Sequence, residues 1–180
     1  MFSMTKYDRR ALTGGIIATV ITGAGAFLLG NISGYEAKDL IKSSLPGIDT
    51  LCNTIVLASA TILALLLTLL SLSSSIESKL KDIHYMQVLR IAKIDTAVFV
   101  VSLITFQVFN IPITESDQVP NTWFTYIYYV TLGLSSLLSG GLIGVVLMLY
   151  NTVENIIKIV GLKIEDHPLL YTEEDEDKKE

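Results

Sequence analysis

The sequence predicts an all-α fold, a transmembrane bundle of four helices with cytoplasmic helical extensions of spans 2/3 and 4. The chain of 180 residues is 51% hydrophobic, and its mean hydropathy is +0.54. Its apolar residues are gathered into blocks, and four runs contain no Asp, Glu, Lys, Arg or His: 11–35, 50–76, 96–114 and 118–153. A helix needs about 20 apolar residues to cross a hydrocarbon layer of ~30 Å. Each run meets this length or comes close to it.

The distribution of basic residues predicts the orientation. Eleven of the 13 lysine and arginine residues flank the runs on one side, in the N-terminal tail, the middle loop and the C-terminal segment. The opposite side has only Lys38 and Lys42. Because basic residues are enriched in cytoplasmic loops, we expect a multi-pass protein of an inner or plasma membrane with both termini in the cytoplasm. A lipid bilayer is therefore its first predicted partner.

Span 1 is predicted at 12–32 and is rich in small residues. Gly15, Thr19 and Gly23 lie four residues apart, and Thr22 is on an adjacent row. Rows of small residues let helix backbones approach closely in lipid, so the first interpretation is packing, above all against span 4. The alternative is that Gly15, Thr19, Thr22 and Gly23 line a narrow pathway, with the threonines supplying oxygens.

Spans 2 and 3 are predicted at 50–72 and 96–111. A turn at Pro46-Gly47 precedes span 2, and Pro112 ends span 3 because proline cannot continue a helix. The segment 73–95 contains no proline or glycine and has apolar residues at helical spacing. It is predicted to be a cytoplasmic helical loop.

Span 4 is predicted at 123–150, followed by a juxtamembrane helix at 151–160. Its small residues Gly140, Gly141 and Gly144 are candidates for helix packing. The membrane domain accordingly covers 1–161. The remaining segment, 162–180, is strongly acidic and is predicted to be a disordered cytoplasmic tail.

The sequence shows no chemistry of an enzyme. It contains no catalytic motif, and it predicts no cofactor and no metal site, because the two histidines and the single cysteine, Cys52, lie far apart. Nucleic-acid binding is not expected in the absence of a basic stripe. With no ionisable residue predicted inside a span, proton-coupled transport is also disfavoured. Asp49, Glu115 and Asp117 on the outer side form a candidate cation-attracting mouth; the alternative is the ordinary charge of solvated loops.

Two functions remain. The first is a subunit of a homo-oligomeric ion channel, with the pathway between subunits and an apolar constriction as its gate. The second is a non-conducting membrane scaffold for a cytosolic protein, as in signalling, defence or immunity, with the partner bound through 73–95 or the acidic tail.

Overall fold

The computed structural model describes residues 6–27, 34–75, 82–111 and 120–158, and the prediction of an all-helical chain is confirmed for them. Four α-helices follow one another: α1 (Lys6–Phe27), α2 (Gly34–Ser75), α3 (Asp82–Phe109) and α4 (Asn121–Ile156). Glu115, Asp117 and the tail at 162–180 lie outside the described residues, as does the end of the predicted juxtamembrane helix.

Helix α4 is the centre of the bundle, because it contacts each of the other three helices. Within the described ranges, α1 contacts α4 alone, whereas α2 and α3 also contact each other. The neighbouring backbones of Gly15 and Gly144 show that α1 and α4 pack side by side. The protein is therefore built as a packed trio, α2–α3–α4, with α1 added to one face of α4.

The apolar core follows α2 and α4 along their length in three clusters. Near the start of both helices, Ala37 and Ile41 pack with Phe124 and Tyr128. The middle and far clusters use the same two helices and also include residues of α3. The buried members of the middle cluster are Ile48, Cys52, Ile55 and Leu138. Those of the far cluster are Ala11, Ile62, Leu66, Val88, Ile91, Val145 and Met148. The order of these contacts shows that α2 and α4 run parallel, with α3 antiparallel to both.

Two of the helices are long and apolar enough to cross a membrane, over Glu36–Leu72 and Thr122–Ile156. Length and composition are weak evidence on their own, since a buried core helix of a soluble protein can satisfy both. Here many large apolar side chains point outward instead; Val20, Leu67 and Val130, for example, are 61%, 70% and 66% exposed.

Two helix boundaries differ from the sequence prediction. The expected turn at Pro46-Gly47 is not formed: α2 begins at Gly34 and runs through Pro46. An internal proline removes one backbone hydrogen bond and costs ~3 kcal/mol, which the packing of Ala37 and Ile41 against α4 offsets. Helix α3 begins at Asp82, so the second half of the predicted loop segment 73–95 is the first half of α3.

Candidate functional site: the polar interior of the helix bundle

The small-residue row of α1 faces α4. A Cβ atom placed on Gly15 would lie 2.8 Å from the carbonyl oxygen of Gly140, and one placed on Gly140 would lie 2.7 Å from the carbonyl oxygen of Gly15. Neither separation is open to a real side chain, so glycine is required on both helices. Gly23 continues the row and comes near the Ser136 hydroxyl, 3.8 Å from its hypothetical Cβ. Gly15, Thr19 and Gly23 thus lie at a helix–helix contact within one chain.

The threonine hydroxyls of α1 are used within their own helix. Thr19 donates to the carbonyl of Gly15 at 2.9 Å, and Thr22 donates to that of Ala18 at 2.8 Å. Thr22 is exposed on the outer surface of α1, away from the row that meets α4. Of the two, only Thr22 is placed where a neighbouring molecule would meet it.

The glycines of α4 divide between two partners. Gly140 and Gly144 meet α1, whereas a Cβ on Gly141 would lie 3.0 Å from the Val98 side chain of α3. Beside these contacts is an apolar cavity of about 220 Å³, whose lining includes Ile16, Thr19 and Ile94. Residues of α1, α3 and α4 all line this cavity.

The predicted outer mouth is described only at Asp49. This residue lies inside α2 and is half-buried, and its Oδ1 atom is buried with no hydrogen-bond partner among the described residues. Glu115 and Asp117 lie outside the described ranges, so the cation-attracting mouth stays a prediction.

A polar seam runs between α2 and α3. The buried Ser102 hydroxyl of α3 donates to the Cys52 carbonyl of α2 at 3.1 Å. Two turns closer to the start of α3, Asp95 lies beside Ser59 of α2. In both pairs the two residue numbers add to the same value, as expected for two antiparallel helices in one register. The seam thus carries polar groups at successive levels of an otherwise apolar interface.

Asp95 is the most unusual member of the seam because it is fully buried. The Ser59 hydroxyl is its neighbouring hydrogen-bonding group, but the two do not reach the geometry of a formed hydrogen bond. Both carboxylate oxygens of Asp95 and the Ser59 hydroxyl consequently have no partner within the described part of the chain. An ionisable residue inside a bundle at the depth of a predicted span is expensive and is a candidate for function.

Hydropathy does not identify Asp95 as a buried residue, because a charged residue next to an apolar run marks the boundary of a predicted span. That rule put Asp95 in the cytoplasmic segment 73–95, one residue before span 3. A helical pattern was available as a signal: the buried residues Val88, Ile91, Asp95 and Ser102 recur at spacings of three, four and seven, which place them on one face of α3. Asp95 therefore lies one residue before predicted span 3, and it is nevertheless buried inside the bundle beside Ser59.

Four more polar residues are buried near the start of α3 and the end of α4. His84 and Gln87 of α3 are buried, as are Thr152 and Asn155 of α4. Burial lowers the pKa of His84 from its ordinary value. Nearby, on the outer surface of α2 and α3, is an apolar groove of about 530 Å³, whose lining includes Leu67, Leu70, Tyr85 and Leu89.

These sites combine close helix packing with buried polar side chains. Among the residues that the structure describes, no group of three or more His, Cys, Asp or Glu side chains could hold a metal ion. Comparisons of the chain with protein-family models, with curated proteins and with solved structures found no match.

Proposed function

We propose that the protein crosses a membrane four times, with both termini in the cytoplasm, and acts as a subunit of a homo-oligomeric ion channel or pore. The position of α1 carries the proposal. In the described part of the chain this helix contacts only α4, and its remaining surface exposes Ile16, Ile17, Val20 and Ile21. An apolar helix at the edge of each subunit is suited to meet its equivalents around a central axis.

A pathway between subunits fits the packing inside the subunit. The close contact of Gly15 with Gly140 and Gly144 leaves no passage between α1 and α4 at that level. A pore lined by the outer face of α1 would close through its large apolar side chains, because a narrow apolar constriction excludes water and ions. Thr13 and Thr22, which are exposed on the same helix, would supply polar levels along it.

Ion flux through liposomes tests this proposal. We expect the purified protein to conduct, and Val20→Ser to increase the flux because it makes the constriction more polar. Leu57→Ser is the matched control, since Leu57 of α2 is 63% exposed and Val20 is 61% exposed. Absence of flux at every voltage, pH and membrane tension tested would refute the proposal.

Crosslinking tests the arrangement independently of conduction. Val20→Cys is expected to form disulfide-linked dimers in membranes, whereas Leu57→Cys is not. The native Cys52 is fully buried, and the comparison is made in a Cys52→Ala background. Equal crosslinking at both positions would show that α1 does not line the subunit contact.

The alternative is a membrane scaffold that binds a cytosolic protein, and the apolar groove of α2 and α3 favours it. The groove lies toward the end of α2 and the start of α3, where Tyr85, Met86 and Leu89 are exposed. Deleting 165–180 or introducing Leu89→Asp is then expected to abolish recovery of the partner. Unchanged recovery from both variants would remove the support for a scaffold.

A further inference from the structure

We propose that Asp95 and Ser59 form a proton-binding site in the interior of the bundle, in which Asp95 carries a proton at neutral pH. The site stands on its geometry: both side chains are fully buried, and their polar oxygens have no partner in the described ranges. It depends on the packing of α2, α3 and α4 alone, so it holds whether or not the protein conducts ions.

Among the described residues of the helices packed against Asp95, none provides a counter-charge. Neither 50–75 of α2 nor 121–153 of α4 contains a charged residue. On α3 itself, Arg90 and Lys93 precede Asp95 by five and two residues, which turns them to the opposite face of the helix. The titratable groups nearest along the facing helices are Cys52 of α2 and Tyr150 of α4. Cys52 is seven residues from Ser59, or about 10 Å along the helix axis.

An ionised carboxylate in this position would be strongly destabilised. Taking a carboxylate out of water costs several kcal/mol even after the protein relaxes, and the bundle offers one hydroxyl in return. A buried group in this situation becomes neutral instead. Protonation removes the buried charge and gives the carboxyl group an O–H that can donate to Ser59 Oγ.

A proton fits the site better than a metal cation does. Sodium or calcium needs several oxygen ligands, whereas the site supplies one carboxyl and one hydroxyl group. Proton exchange requires water to reach Asp95. The neighbouring residue, Ile94, lines the 220 Å³ cavity beside α1 and α4, which brings open space to within one residue of Asp95.

Infrared spectroscopy of the full-length protein in lipid nanodiscs tests the site. At neutral pH we expect a carbonyl stretching band of a protonated carboxyl group that shifts on labelling with ¹³C-aspartate. Asp95→Asn should abolish the band, and Asp39→Asn, an exposed position on α2, should leave it intact. Ser59→Ala keeps the carboxyl group and should move the band to higher frequency, because it removes the hydrogen bond that we propose the protonated carboxyl donates to Ser59.

Three results would overturn the proposal. The first is a neutral-pH spectrum without a protonated aspartate band in the wild-type protein, which needs no variant to fold. The second is a band that Asp95→Asn leaves unchanged. The third is a band that sodium removes at constant pH while choline does not, which would make the site a cation site instead. A failure of the liposome flux test would change none of these spectroscopic results, because the site depends on the packing of α2, α3 and α4 alone.

Discussion

The contact between α1 and α4 makes a sharp prediction about alanine substitutions at three glycines of one helix. At Gly140 the new Cβ would lie 2.7 Å from a backbone oxygen of α1, whereas at Gly144, one turn along, its nearest neighbour is 3.9 Å away. At Gly133 nothing lies within 4 Å. A backbone oxygen cannot rotate aside, so only Gly140→Ala forces α1 to move.

The expected change in the free energy of unfolding is the sum of two effects: the higher helix propensity of alanine and the packing of its Cβ atom. Alanine in a helix interior is favoured over glycine by about 0.5–1 kcal/mol, and this gain is common to the three variants. Overpacking at a tight contact costs about 1–3 kcal/mol. We therefore expect Gly140→Ala to be less stable than Gly133→Ala by about 1–3 kcal/mol, with Gly144→Ala close to Gly133→Ala.

Denaturant unfolding of the purified protein in mixed micelles, followed by circular dichroism, measures these differences. Comparing variants on the same helix cancels the propensity gain and leaves the packing cost. If Gly140→Ala is as stable as Gly133→Ala, α1 does not pack on α4 as described. If Gly144→Ala is the least stable of the three, the register of the two helices is wrong.

Three other predictions concern single polar groups. Because burial lowers the pKa of His84 from 6.5, the unfolded chain binds a proton more readily than the folded one; stability should fall as the pH drops through about 6.5, and His84→Gln should flatten this dependence in unfolding experiments at several pH values. Ser102→Ala removes the bond to the Cys52 carbonyl and should cost about 0.5–1.5 kcal/mol, whereas Thr54→Ala on the exposed side of α2 should cost less; equal losses would contradict a specific contribution of the buried bond. The Lys158–Glu154 ion pair is 2.6 Å long and about a third exposed, so Lys158→Ala should cost about 0.3–0.5 kcal/mol in low salt and nothing measurable in high salt; a salt-independent loss in the same unfolding assay would point to packing instead.

Much of the helical layout could be predicted from hydropathy alone. Each of the four helices contains most of one charge-free run, since an uninterrupted apolar run of this length has few alternatives to a helix. The ends of α2 and α3 were harder to predict. Pro46 is a local signal for a turn, and the packing of the first turns of α2 against Phe124 and Tyr128 outweighs it. In α3 the charges of Arg90 and Lys93 lie on the outer side and conceal a buried face.

Residue types and their spacing predict that the chain forms helices, that these helices are apolar over most of their surface, and that the first and fourth have faces of small residues. Those properties depend on residue type and on spacing along one helix. The central position of α4, the contact of Gly15 with Gly140 and the burial of Asp95 beside Ser59 are seen only in the packed bundle. These features depend on the register between helices. Every side chain lies on some face of its helix, and the neighbouring helices determine which faces are buried away from water or lipid.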